Sequence, residues 1–206
     1  RIYRVTTLMA DDNAPMPSSP APLAPALRTE VSGVETATRM RSFEHTLVRD
    51  NESYNASGLY AEPSFFELFG FELEAGNAKQ ALARPHTAVV TRRLAQRLYG
   101  DADPMGQTFR LQDGQPVTVT GVIDRAAYRS HLPFEVLVSF ATLRQTRPPA
   151  LTGWYRSVFS TSIYLRVAEN QDLTSISASL EALRRQHLVQ PDGVERSRLQ
   201  RSVRVG

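Results

Sequence analysis

Residues 86–124, HTAVVTRRLAQRLYGDADPMGQTFRLQDGQPVTVTGVID, carry the signals of a strand, a helix, a turn and a hairpin in unbroken succession. The β-branched run from Thr87 to Val90 predicts a strand. Thr91 can then cap a helix, because its hydroxyl oxygen can accept a bond from a free backbone N–H of the first turn. The helix has an apolar face, formed by Leu94, Ala95 and Leu98.

Gly100 is the predicted end of this helix, in a left-handed conformation that glycine adopts without steric cost. The residues that follow, DADPMG, have the Asp, Pro and Gly content of a turn. Thr108–Leu111 and Val117–Val122 then predict two strands. The Asp113-Gly114 pair between them is a strong hairpin signal, so the chain is expected to reverse there.

This stretch is also similar to a known family. The run AVVTRRLAQRLYGDADPMGQTFRL, followed by VTVTGVID, resembles the core motif of the MacB-like periplasmic domain of ABC transporter permeases. Ser64–Leu82 resembles the family segment that precedes this motif, and Arg129–Phe140 resembles the strand that follows it. The resemblance covers residues 60–140. It brings no catalytic residues, because the family's motif is architectural.

The resemblance implies an α+β fold, a periplasmic domain with two lobes. Residues 1–61 and 128–206 would form a discontinuous, membrane-proximal α/β lobe of the porter type. Residues 62–127 would form an inserted, strand-rich lobe. It also implies transmembrane helices on both sides of the segment, with the first strand and the last helix in one lobe.

The function implied by the resemblance is mechanical. The domain would lie in the periplasm, as part of a permease of the bacterial inner membrane, and would pass ATP-driven motion of transmembrane helices to periplasmic substrates or partners in export or efflux. Implied partners are an ABC ATPase subunit or domain, reached through the transmembrane region, a periplasmic adaptor protein, and a second copy or a second permease. Two alternatives are a lipoprotein-releasing or cell-division relative of the same transporter class and an extracytoplasmic sensor domain.

Composition narrows the classes of function. The 24 basic and 21 acidic residues leave a net charge of only +3, and Lys79 is the single lysine. No aromatic residues interleave a basic stripe, as stacking on bases would require, so no nucleic-acid partner is predicted. The absence of cysteine from this sequence excludes disulfides, thiolate catalysis and zinc–thiolate sites within it.

No catalytic, cofactor-binding or metal site is predicted, and the domain is expected not to be an enzyme. The sequence has no GxSxG, Walker A or GxGxxG motif. The four histidines, at positions 45, 86, 131 and 187, lie in separate segments without metal-ligand spacing. The aspartates at positions 101, 103 and 113 are interpreted as turn residues, because they do not follow the spacing of a calcium-binding loop.

Trp154 and Tyr155 are the candidate partner-contact residues. They lie together in a predicted loop, Arg144–Ser160, and an exposed tryptophan beside a tyrosine is typical of interface anchors. The alternative interpretation is that Trp154 packs beneath its own loop.

The remaining segments are predicted from periodicity and breakers. In the first part of the chain, the expected elements are a strand in RIYRVTTL, an exposed proline-rich loop over residues 9–25, a helix from Pro25 to Val34, and strands at Thr36–Val48 and Leu59–Ala61 with a polar loop before the second. A helix capped by Ser64 is expected next, with core residues Phe65, Phe66, Leu68 and Phe69. The last part should contain a buried strand at Phe134–Phe140, a strand at Ser162–Val167, an amphipathic helix after Asp172 with Leu173, Ile176, Leu180 and Leu183 on one face, and a polar, basic end from Val194 that frays.

Overall fold

The computed structural model describes residues 1–9, 12–128, 132–146, 149–152, 154, 161–187 and 194–201. The elements in chain order are β1 (Ile2–Met9), β2 (Asp12–Met16), α1 (Leu23–Glu30), β3 (Val34–Arg49), β4 (Glu52–Ala61), α2 (Ser64–Phe69), β5 (Ala75–Gly76), β6 (Thr87–Thr91), α3 (Arg92–Tyr99), β7 (Thr108–Arg110), β8 (Pro116–Ile123), β9 (Val136–Ser139), α4 (Phe140–Thr146), α5 (Pro149–Thr152), β10 (Ser162–Val167), α6 (Leu173–His187) and β11 (Val194–Arg201). A 3₁₀ turn covers Arg125–Ala127. This mixture of helices with a mainly antiparallel set of strands confirms the predicted α+β class.

Contacts within the chain divide the described residues into two compact units. Unit 1 contains residues 1–39 and 149–201, and unit 2 contains residues 40–146. Residues 40–61 and 128–146 therefore belong to the contact-defined unit 2, whereas the sequence-based lobe covers residues 62–127. Which unit lies nearer a membrane stays a prediction.

Unit 1 is built on a sheet with strand order β11-β1-β10-β3, and β2 pairs with β1. β1 is antiparallel to both of its long partners, with Val5 opposite Ile163 of β10 and Tyr3 opposite Arg201 of β11. Helices α1 and α6 contribute Leu27 and Leu180 to the core on one face of this sheet. The first strand and the last helix thus lie in one unit, as the sequence predicts.

The proline-rich segment of unit 1 is not wholly a loop. Residues Asp12–Met16 form β2, with Met16 opposite Thr7 of β1, and Ser19 and Ala21 are fully buried. Pro15 is tolerated in β2 because, among the described strands, β2 pairs with β1 alone. The edge of β2 that faces away from β1 has no ladder there for the missing proline N–H to interrupt.

Two further boundaries in unit 1 differ from prediction. Helix α1 starts at Leu23 and stops at Glu30, because Gly33 turns the chain with a φ of 87° and Val34 already begins β3. Residues 194–201 do not fray but form β11, since β1 offers them an antiparallel ladder. The predicted Arg144–Ser160 loop contains the end of α4 and the short helix α5.

Unit 2 has the strand order β3-β4-β9-β6-β8-β5, and β7 pairs with β3 and β8. The β4–β9 and β6–β8 pairs are parallel. The predicted aromatic core is confirmed. Phe65 of α2 is fully buried, and its ring centroid lies 5.0 to 5.8 Å from those of four other phenylalanines, at positions 66, 69, 71 and 134.

The strand–helix–hairpin prediction for residues 86–124 is confirmed in unit 2. Thr91 caps α3, with its side-chain oxygen accepting from the Leu94 backbone N–H at 3.2 Å. The hairpin closes through Gly114, whose N–H donates to the Leu111 carbonyl at 2.8 Å. Gly100 ends the helix with φ 59° and ψ −130°, so the positive φ is confirmed but the conformation is not the left-handed helical one.

The polar loop predicted before Leu59 is wrong, because β4 already begins at Glu52 and forms a long hairpin with β3. Asp50 and Asn51 make the turn, with φ values of 51° and 63°. Two central residues at positive φ define the turn that best fits the twist of a hairpin, and Asp and Asn tolerate it. Ser64 is not a cap either, since Pro63 occupies the N-cap position of α2 without a side-chain bond.

Candidate partner-contact site

Trp154 is half-buried in unit 1 and packs against the core between the sheet and α6. Its indole lies parallel to the imidazole of His187, with ring centroids 4.1 Å apart and an angle of 3° between the planes. His187 is the last residue of α6. One face of the indole is therefore covered by a side chain of the same unit.

Tyr155, the other candidate contact residue, lies outside the described residues. Trp154 packs against the core of unit 1 and on His187 of α6. The alternative that it packs beneath its own loop stays a prediction, because residues 155–160 of that loop lie outside the described residues. A contact role for Trp154 and Tyr155 stays a prediction. The sequence gives no local signal of the stacking, because 33 positions separate the two rings.

The three aspartates interpreted as turn residues all bond locally. Asp103 and Asp113 each accept a bond from the backbone N–H two residues ahead, at 2.9 and 3.2 Å. Asp101 accepts from the side-chain amide of Gln96 at 3.3 Å. Each carboxylate thus has a partner within its own turn or the adjoining helix. Among the described residues, no three His, Asp or Glu side chains come together as metal ligands would.

Two surface clefts are formed by described residues of unit 2. One, of about 630 Å³, lies beside α2 and is lined by Phe66, Glu67, Phe71 and Lys79 among others. The other, of about 420 Å³, lies beside the end of α3, and an ion pair between Arg92 and Glu74 lines it. The lining of the first cleft also includes Ser64 and Glu72, and that of the second also includes Asp101 and Asp103.

In each of the four groups with a shifted pKa, the pKa moves further from pH 7. Burial raises the pKa of Tyr99 to about 12. The pKa of Tyr54 is raised by the hydrogen bond that its hydroxyl donates to Glu52, and the pKa of Arg92 is raised by the hydrogen bond that its guanidinium donates to Glu74. The backbone N–H of Thr174 lowers the pKa of Asp172. Acid–base catalysis needs a group that titrates near the working pH, and none of these four is shifted toward it.

Both ends of the described chain meet in unit 1. The terminal amine of Arg1 donates to the Val167 carbonyl at 3.1 Å, and Tyr3 is the register partner of Arg201. The pairing of β11 with β1 was not predicted from the sequence, because the two strands lie almost two hundred residues apart in the chain. Among the helices described here, none is both long enough and apolar enough to cross a membrane.

The model of the MacB-like periplasmic core domain matches residues 1–183. The chain therefore belongs to the MacB-like periplasmic core domain family of ABC transporter permeases, and the predicted resemblance is confirmed. A search among curated proteins found no match.

Solved structures show the same fold. A domain of a proposed permease from Porphyromonas gingivalis is 24% identical with a TM-score of 0.83, and the alignment covers 100% of this chain and 92% of that one. The periplasmic region of MacB from Actinobacillus actinomycetemcomitans is 16% identical with a TM-score of 0.69, over 97% and 87% of the two chains. The extracellular domain of the noncanonic ABC-type transporter YknZ from Gram-positive bacteria is 15% identical with a TM-score of 0.70, over 98% and 100%.

Proposed function

We propose that this chain is the periplasmic domain of an inner-membrane ABC permease, and that it passes ATP-driven motion of transmembrane helices to periplasmic substrates or partners in export. Family membership supports the transporter class. The observation that carries the mechanical part is the pairing of Tyr3 with Arg201, because it brings the two ends of the described chain side by side.

Two neighbouring ends suit a chain that continues into two neighbouring membrane helices. Any relative movement of such helices acts first on the β1–β11 ladder. This ladder keeps one register from Tyr3 to Leu8 of β1 before the register shifts at Met9, so its backbone bonds resist shear over that length. Unit 1 then moves as a body, and the chain continues into unit 2 through β3.

The proposal assigns the energy source to an ABC ATPase subunit or domain and no enzymatic activity to this domain. The bonded turn aspartates and the direction of the resolved pKa shifts support that assignment. The proposed partners on the periplasmic side are an adaptor protein and a second permease subunit, which together would receive the motion.

The experiment uses the full-length permease with its ATPase in liposomes. This chain has no cysteine, so once every cysteine outside it is replaced by serine, a single cysteine at Ser32 of unit 1 or at Asp113 of unit 2 carries a spin label at an exposed position. Label-to-label distances between the two permease copies are measured without nucleotide and after vanadate trapping. The proposal expects both distances to change on trapping.

An ATPase with an inactive Walker A lysine is the control, and it should abolish the change. Unchanged distances in the active transporter would refute mechanical transmission through this domain.

A further inference from the structure

The larger cleft of unit 2 is mainly apolar inside. Its volume of about 630 Å³ lies within the range of about 300–1,000 Å³ that is usual for binding clefts. Phe66 and Phe71 line it although their side chains are only 2% and 3% exposed, so they form its floor. Pro63 and Ala78 are half-buried and form parts of its walls. We call it the α2 cleft, because helix α2 supplies part of its lining.

Contacts within unit 2 hold the lining of the α2 cleft in place. The ring of Phe65 lies 5.7 Å from that of Phe66 and 5.3 Å from that of Phe71, between centroids. Lys79 lies in a turn, where its backbone N–H donates to the side-chain oxygen of Asn77 at 3.0 Å. A cleft that is already ordered loses less conformational freedom when it binds a partner, so more of the contact energy remains as affinity.

The rim of the α2 cleft carries more negative than positive charge. Among the described residues that line it, the charged ones are Glu67, Glu72 and Lys79, and all three are exposed. Two carboxylates and one ammonium group give the lining a formal charge of −1. The backbone of Glu72 is anchored, because its N–H donates to the hydroxyl oxygen of Tyr128 at 2.9 Å. A cationic group on a partner would therefore complement this rim.

We propose that the α2 cleft docks a short segment of a periplasmic partner protein. In this segment a large apolar side chain lies over Phe66 and Phe71, and an adjacent arginine or lysine meets the rim at Glu72. An apolar centre within a charged rim is the usual arrangement of a protein–protein contact. The choice of a periplasmic protein as the occupant rests on the proposed function, in which such a partner receives motion from this domain.

The test titrates the isotopically labelled 206-residue chain with three peptides and follows the backbone amide resonances by NMR. The first peptide, acetyl-Gly-Phe-Arg-Gly-amide, carries both proposed groups. The second, acetyl-Gly-Phe-Glu-Gly-amide, reverses the charge, and the third, acetyl-Gly-Ala-Arg-Gly-amide, lacks the large apolar group. The first should shift the resonances of Gly70 and Lys79, which line the cleft. It should bind about fivefold more tightly than the second, the effect of one exposed ion pair, and also more tightly than the third.

The charge of the whole chain works against this expected order. A net charge of +3 favours the acidic peptide, so a preference for the basic peptide has to come from charges at the cleft. Glu72→Lys changes the charge of the lining from −1 to +1 and leaves the backbone bond to Tyr128 in place. In this variant the acidic peptide should become the tighter ligand.

The matched control is Glu30→Lys, which makes the same change of charge at the exposed last residue of α1 in unit 1. It should keep the order of the parent chain, and a reversed order in the control as well would overturn the proposal. Ala78→Phe provides a second variant, because the larger side chain occupies the cleft and should weaken the binding of the first two peptides. Thermal melting of each variant is recorded before the titrations.

The remaining outcomes decide between the parts of the proposal. If none of the peptides shifts the resonances of Gly70 and Lys79, the α2 cleft is not a docking site. Equal binding of the basic and acidic peptides would overturn the basic partner and leave a cleft that takes apolar groups of any kind. The titrations need neither ATP nor a membrane, so their failure leaves the distance measurements on the full-length permease unaffected. Unchanged distances, in turn, would refute mechanical transmission without removing peptide binding at the cleft.

Discussion

The indole of Trp154 and the imidazole of His187 lie in parallel planes with their centroids 4.1 Å apart, so Trp154 packs against the last residue of α6. An aromatic pair of this kind contributes about 0.5–1.5 kcal/mol beyond its buried area. His187→Ala should therefore lower the free energy of unfolding by about that amount. Trp154 is the single tryptophan, so its emission should also shift to the red as the ring gains water.

Gln186→Ala is the matched control for this prediction, because Gln186 is an exposed neighbour on the same helix turn. It should leave both the emission maximum and the unfolding midpoint unchanged. An unshifted spectrum in His187→Ala would mean that the stacking does not shield Trp154 in solution.

Two glycines should respond differently to the same pair of substitutions. Gly70 ends α2 at φ 73° and ψ 26°, which is left-handed helical, whereas Gly100 ends α3 at φ 59° and ψ −130°. A side chain at either position meets no atom within 4 Å, so only the backbone conformation is tested. Alanine should cost about 1 kcal/mol or more at both sites.

Asparagine discriminates between the two positions. It tolerates the left-handed helical region but not the conformation of Gly100. Gly70→Asn should therefore recover part of the stability that Gly70→Ala loses, while Gly100→Asn should be no better than Gly100→Ala. Urea unfolding of the four variants measures this. Equal recovery at both positions would contradict the helix-end geometry described here.

Local signals account for the parts of the fold that the sequence predicts well. The cap at Thr91, the helix end at Gly100 and the hairpin at Gly114 each depend on residues only a few positions apart. The turn at Asp50 and Asn51 also has a local signal, since these residues favour positive φ in hairpins, and it could have been predicted.

The missed elements depend on partners far away in sequence. β2 and β11 are polar, proline-containing or arginine-rich segments with little intrinsic strand preference, and both are strands because β1 offers them hydrogen bonds. The candidate site shows the same limit. Tryptophan beside tyrosine in a loop predicts a contact surface, but the stacking of Trp154 on His187 requires tertiary structure.

Phe43 covers Gly58 across the β3–β4 hairpin, where the two residues are register partners. A Cβ at position 58 would lie 2.2 Å from Cζ of Phe43, which is impossible without movement of the ring. The ring of Phe43 is held by Tyr60, with centroids 4.7 Å apart. Gly58→Ala should therefore destabilise the protein by about 1–3 kcal/mol, the usual cost of overpacking.

A double-mutant cycle tests this explanation. In the Phe43→Leu background the smaller side chain leaves room at position 58, so Gly58→Ala should cost clearly less there than in the parent chain. Additive costs would show that the loss comes from the strand backbone and not from the Phe43 ring. Chemical denaturation of the two single variants and the double variant gives the coupling free energy.

Asp172 provides a prediction that depends on pH. Its carboxylate accepts from the backbone N–H of Thr174 at 3.0 Å at the start of α6, and this bond lowers its pKa below the ordinary value of 3.8. A carboxyl group with a lowered pKa in the folded state stabilises that state above its ordinary pKa, and the contribution is lost as the pH falls through the folded-state pKa.

Asp172→Asn keeps a capping oxygen but removes the charge, so it isolates the effect of the charge at the helix N-terminus. Asp172→Asn should be less stable than the parent at neutral pH, and the difference should vanish below the lowered pKa. Urea midpoints of both chains across this range measure it, and a difference that does not depend on pH would show that the carboxylate charge does not stabilise α6.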